Sequence, residues 1–199
     1  MDNKYWVREA EGCSCSAGVP IPYISNNRWY GFENFPDRCP KPNNIILKCG
    51  HRPQDAVFDI DQGEVIVYQK FVLDRLRVDT SKMCDPVVKL DFTSIIAFEA
   101  TYRIGAEHQI EVELLFKLIR ICNGDKEVVQ TWKYEFDHDI ENDIDELRIE
   151  RKESFAVSFC DHPCPGCCEY KMVVEVLDTE GNFDFLRVKK PNLTAIAQG

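Results

Sequence analysis

At 199 residues, with a net charge of −10 and a pI near 4.9, the chain suits one domain of about 150 residues plus an extension. The acidic balance argues against a nucleic-acid backbone or an anionic membrane surface as partner, because both need clustered Lys and Arg. No apolar run approaches the ~20 residues that a spanning helix requires.

Residues 1–43 read as an extended arm. Five of the ten prolines fall in the first 44 residues, and proline removes backbone donors and disfavours regular ladders. An aromatic group, Trp29, Tyr30, Phe32 and Phe35, sets the arm apart from a solvated tail, which is poor in such residues. These rings must pack on the arm's own domain or on a neighbour.

From Asn44 onward the apolar residues recur with period two, the signature of half-buried strands. Phe71 and Leu73 alternate with charges, and Leu76 and Val78 continue after a shift of phase. Val88, Leu90 and Phe92 follow. Next come Ile110, Val112, Leu114, Phe116 and Leu118, and then Val128, Gln130, Trp132, Tyr134 and Phe136. Phe155, Val157 and Phe159 precede Tyr170, Met172, Val174 and Val176. Turn residues separate these runs at Asp61-Gln62-Gly63, Cys84-Asp85-Pro86, Asn123-Gly124-Asp125 and Glu180-Gly181-Asn182. The pattern predicts an all-β fold over 44–199, an antiparallel jelly-roll-like sandwich of about eight strands. A sandwich of this kind has edges, and an open edge is a template for an added strand.

Ten cysteines are the most unusual feature: 13, 15, 39, 49, 84, 122, 160, 164, 167 and 168. Disulfide frameworks belong mainly to exported chains, whereas cytosolic clusters more often bind metal or do redox chemistry. The opening residues show no apolar stretch of a signal peptide. A core of this size folds without cross-links, so the thiols serve something else. Cys164-Pro165-Gly166-Cys167, with His162, is a candidate zinc knuckle. Structural zinc usually takes two well-separated pairs, however, and here four cysteines crowd into nine residues. In a strand Cys167 and Cys168 point to opposite faces, which suits cross-links to different partners better than a tetrahedral cage. Cys49, Cys84 and Cys122 read as buried free cysteines, which pack as small hydrophobes. Cys39 is left open.

Other chemistries find less support. His162 between Cys160 and Cys164 could activate a thiolate, but no βαβ redox pattern accompanies it. His51, His108 and His138 are scattered. The acidic run from Asp137 to Glu146 lacks the spacing of a calcium loop and reads as a solvated loop. Asn192-Leu193-Thr194 is a glycosylation sequon, relevant only in a eukaryotic secretory protein.

Several segments resemble a family of unknown function from clostridial spore formers. They are Asn44-Ile-Ile-Leu-Lys-Cys-Gly50, Leu76-Arg-Val-Asp-Thr80 leading into Pro86–Ser94, Cys122-Asn-Gly-Asp125, Phe159–Tyr170 and Asn192–Gln198. The chain also resembles, in architecture, the endospore appendage subunits of bacilli. Those are jelly rolls whose N-terminal connector reaches into other subunits and is locked by disulfides. Cys13 and Cys15 match that connector, although Ser14 separates them. The resemblance implies synthesis in the cytoplasm without a signal peptide, and oxidation later on a spore surface.

The expected function is therefore a non-enzymatic structural subunit of a disulfide-cross-linked fibre or spore-surface layer. Its partners would be its own copies and other spore-surface proteins, with no cofactor and no metal. The cross-linking residues would be Cys13, Cys15, Cys160, Cys164, Cys167 and Cys168. The alternative is a zinc-stabilised soluble β-sandwich binding module, and a cysteine-dependent redox enzyme stands third.

Overall fold

The computed structural model describes residues 45–103, 109–139 and 146–199, and every regular element among them is a β-strand. The strands are β1 (Ile45–Cys49), β2 (Ala56–Val57), β3 (Ile60–Asp61), β4 (Glu64–Val65), β5 (Lys70–Asp79), β6 (Val87–Arg103), β7 (Gln109–Cys122), β8 (Asp125–Asp139), β9 (Glu146–Asp161), β10 (Cys167–Glu180) and β11 (Asn182–Gln198). The predicted arm, residues 1–43, lies outside the described residues.

Alternation decides which face each strand buries. In β7, Ile110, Val112, Leu114, Phe116 and Leu118 are fully buried, while Glu111, Glu113 and Lys117 between them face outward. One sheet runs β1-β11-β6-β9, with β2 added beside β11, and the other runs β5-β10-β7-β8. The eight principal strands pair first with last and inward from there: β1 with β11, β5 with β10, β6 with β9 and β7 with β8, all antiparallel. A long hairpin rolled on itself in this way is a jelly roll, so the predicted class is the fold observed. Between the sheets, Phe116 stacks on Phe155 at 4.1 Å, and Phe98 meets Phe136 edge-on at 5.0 Å.

Two turns take the shape their residues favour. Gln62-Gly63 and Asn123-Gly124 both have positive φ at each position (52° and 91°, 52° and 92°), the type I′ geometry that matches strand twist. A Cβ at position 63 would also make the Asn182 side-chain amide swing aside.

The two open sides of the sandwich differ. Beside β5, residues 51–54 cover the edge: the His51 N–H donates to the Arg75 carbonyl (3.1 Å) and the Gln54 N–H to the Leu73 carbonyl (2.8 Å). Asp74 organises this corner. It is buried, and its carboxylate accepts the backbone N–H groups of Arg75 (2.8 Å) and Leu193 (3.0 Å). The bulge that turns both Leu73 and Asp74 inward is the predicted phase shift in β5. On the far side, β8 and β9 pair only inward among the described residues.

Two expectations are corrected here, and one strand is missing from the predicted runs. β11, which supplies Phe183, Leu186, Val188, Leu193, Ala195 and Ala197 to the core, does not follow a clean alternation, because register shifts interrupt it at Phe183/Phe185 and Lys189/Asn192. Val128 is exposed, and Val129 packs against the core instead, because the β7–β8 register shifts between Leu118 and Ile119. Asp137, His138 and Asp139 belong to strand β8 rather than to a loop.

Candidate functional site

The topology gathers the cysteines. β5 ends at Asp79, opposite Cys167, and the connection to β6 carries Cys84. β7 ends at Cys122. β9 ends with Cys160 and Asp161, and β10 begins with Cys167 and Cys168. The start of β1 lies at the same end, because Ile45 pairs with Gln198 and Gln198 with Val87. Of the seven described cysteines, six therefore sit at one pole of the sandwich, and the chain enters its first strand there.

The pole is held by a network that the periodicity gives no sign of. Asp161, buried at the end of β9, takes both oxygens to Arg120 Nη1 (2.8 and 3.0 Å). It also accepts the Tyr170 hydroxyl (2.7 Å) and the His162 N–H (2.9 Å). Arg120 extends the network to Glu127 at 2.7 Å. Burial pushes the Tyr170 phenol well above its ordinary value, and the Asp161 charge adds to the shift. The hydroxyl therefore stays a donor. At the other end of the loop, Thr80 donates its N–H (2.7 Å) and its hydroxyl (3.0 Å) to the Gly166 carbonyl, and its hydroxyl oxygen accepts the Gly166 N–H (3.2 Å). The segment His162–Gly166, which carries Cys164, is thus clamped at both ends and displays Cys164 to solvent.

Cys167 and Cys168 do point to opposite faces: Cys167 is exposed and Cys168 is buried. Cys168 forms a disulfide with Cys122, directly opposite on β7 and 4.4 Å away between Cα atoms. That separation is at the short end of the range a disulfide spans. Cys168, expected to link chains, is therefore committed within its own chain. Cys122, expected to be a buried free thiol, is half-buried and bonded. Cys49 is likewise exposed rather than buried, because it lies on an edge strand whose outer face meets solvent. Cys84 is partly exposed in its loop. Cys164 is also disulfide-bonded, whereas Cys160 and Cys167 are exposed thiols. Cys13, Cys15 and Cys39 lie outside the described residues. Among the described residues no group of three or more His, Cys, Asp or Glu side chains is arranged to hold a metal ion. The arrangement can present the Cys160 and Cys167 thiols on either side of the clamped loop and exchange them with other thiols or disulfides.

A family model, a domain of unknown function (DUF4489), matches residues 43–198. The chain belongs to the DUF4489 family. The match covers nearly the same span as the resemblance read from the sequence, and it leaves the segment before residue 43 outside the DUF4489 unit. No curated protein matches the sequence. Solved structures of infectious bursal disease virus resemble this DUF4489 chain distantly. The Gx strain shares 10% identity with a TM-score of 0.40, over 89% of this chain and 37% of that one. The Gt strain shares 11% with a TM-score of 0.33, over 92% and 43%. The chain thus spans less than half the length of either.

Proposed function

We propose that this protein is a non-enzymatic structural subunit that assembles with its own copies into a disulfide-cross-linked fibre or surface layer. The observation that carries the reading is the coincidence at one pole: exposed Cys160 and Cys167 and the clamped Cys164 loop lie where the chain enters β1. Residues 1–43, with Cys13 and Cys15, precede β1 in the sequence. In a neighbour they would meet thiols already held in place. The resemblance to appendage subunits of spore formers extends this to a spore surface. A chain made reduced in the cytoplasm would be oxidised there and locked to its neighbours. The zinc-module alternative has less support, because Cys164 and Cys168 are in disulfide form and only a thiolate ligates zinc.

Two variants test the reading. The full chain, oxidised after purification, should form multimers. A chain lacking residues 1–43 should keep its β fold and stay monomeric. Cys13→Ser with Cys15→Ser should leave assembly intact but let denaturant dissociate it, because the covalent lock is gone. Peptide mapping without reductant should find arm cysteines bonded to Cys160 or Cys167 of another copy. Normal assembly by the truncated chain would sink the proposal, as would a map of assembled material containing only bonds within single chains.

A further inference from the structure

Seven cysteines lie among the described residues, and the state of each restricts the others. Cys49, Cys84, Cys160 and Cys167 carry thiols, and Cys122 and Cys168 are bonded to each other. Cys164 is in a disulfide, and none of those six supplies its other sulfur. Within the chain the candidates that remain are Cys13, Cys15 and Cys39, all of them ahead of β1.

Reach separates the three. The chain enters β1 at Ile45, which pairs with Gln198, and Gln198 pairs with Val87. Val88 pairs with Asp161, so His162 stands in line with Val87. Three strand spacings therefore separate Ile45 from His162, about 14 Å. Cys164 lies two residues further on, at most about 7 Å of chain. Cys39 precedes Ile45 by six residues, in Cys39-Pro40-Lys41-Pro42-Asn43-Asn44. Each proline fixes its own φ and keeps the residue before it extended. A stretch with that bias spans about 3.1 Å per residue, about 19 Å in all, and a disulfide bridges a further ~5.5 Å between Cα atoms. The strut matches the gap, the condition under which a linker raises effective concentration most. Cys13 and Cys15 reach the same sulfur only through residues 16–38 as well, with a larger closure entropy.

The receiving sulfur is held in place. Asp161 accepts the His162 N–H (2.9 Å) on one side of the loop, and Thr80 grips Gly166 on the other. Pro163 between them is buried, while Cys164 faces outward. Neither end of the bond has much freedom left to lose.

We propose that Cys39 and Cys164 of one chain are joined by a disulfide that straps the segment before β1 across the end of the β1-β11-β6-β9 sheet. Two exchange steps with a low-molecular-weight disulfide form it. The two cysteine thiols give up two protons and two electrons, and the small disulfide is reduced to two thiols. The strap gives Cys39 a role and leaves Cys13 and Cys15 for other bonds. On the self-assembly reading above, those bonds go to Cys160 and Cys167 of a neighbour; the strap itself needs no neighbour and is tested without one.

The test reduces the full chain and reoxidises it with glutathione disulfide at high dilution, where bonds between copies do not compete. Acid and alkylation then stop exchange by the Cys160 and Cys167 thiols, and peptides are mapped by tandem mass spectrometry without reductant. The expected map holds Cys39 with Cys164 and Cys122 with Cys168. The strap closes a ring over most of the chain, so on non-reducing denaturing gels the parent should run ahead of Cys39→Ser and Cys164→Ser, and those two should run alike. Cys13→Ser and Cys15→Ser should run with the parent. A bond from Cys164 to Cys13 or Cys15, an alkylated Cys164 in the oxidised parent, or a Cys39–Cys164 pair found only in multimers overturns the proposal. The self-assembly reading is judged separately, by whether concentrated, oxidised parent forms multimers.

Discussion

At the scale of single residues, the groups that hold the cysteine pole are polar and buried, and their removal has an ordered cost. Asp161→Ala leaves Arg120 and the Tyr170 hydroxyl without their shared acceptor, and breaking a buried pair from one side costs about 3–5 kcal/mol. Tyr170→Phe deletes one hydrogen bond and should cost about 1–2 kcal/mol. Urea titrations of the two variants check both the order and the gap. Two glutamates on the outer face of the β5-β10-β7-β8 sheet should show opposite pH signatures. Burial pushes Glu175 up, but Lys117 (2.5 Å) and Lys70 (3.0 Å) outweigh it, and its carboxyl is held below the usual value. Its stabilisation is present above the ordinary carboxylate range and is lost as pH falls through the lowered value. Glu175→Gln should thus melt below the parent at pH 7 and converge with it near pH 3. Glu111 is raised, first by burial and then by Glu113, Asp178 and Asp137. Its ionisation opposes folding, so Glu111→Gln should gain a few tenths of a kcal/mol at pH 7, a gain that vanishes in acid as the parent protonates. Thermal melts across pH 3–7 read both signs.

At the scale of elements, the strands differ in how openly the sequence declares them. β7 alternates without a break and is readable at sight. β8 changes phase where its ladder with β7 slips one residue, which turns Val128 outward and Val129 inward. β11 is interrupted twice, the second time around Lys190 at φ 52° and Pro191, and local pattern cannot follow a strand across a bulge that its neighbour imposes. The Cys122–Cys168 bridge ties β7 to β10 across 46 residues of chain. Closing a loop of that length in the unfolded state is worth about 4 kcal/mol in the chain-entropy model, with about 2–4 kcal/mol typical of measured cases. A Cys122→Ser, Cys168→Ser double variant should keep the fold and lose stability in that range. Calorimetry should also show reductant lowering the melting point of the parent more than that of the variant.

At the scale of the whole molecule, the jelly-roll connections bring residues 84, 122, 160, 164, 167 and 168 to one end. On the cross-linked-subunit proposal, no metal would be needed to hold this pole together. Dialysis of oxidised, assembled protein against a chelator should leave its melting point unchanged, with zinc well below one per chain. A tightly held zinc in each chain, lost together with the fold, would favour the binding-module reading instead.

Composition, alternation and turn residues were enough for an all-β sandwich, because a half-buried strand writes its two faces into consecutive residues. They also announced that Cys167 and Cys168 face opposite ways. The partner of Cys168 was beyond them: Cys122 lies 46 residues away, and only strand order brings β7 beside β10. The Asp161–Arg120–Tyr170 network, the exposure of Cys49 and the gathering of six cysteines at the entry of β1 have the same origin. Each is a relation between residues far apart in the chain. Period-two patterning says which way a side chain points, and only the tertiary pairing of strands says what it meets.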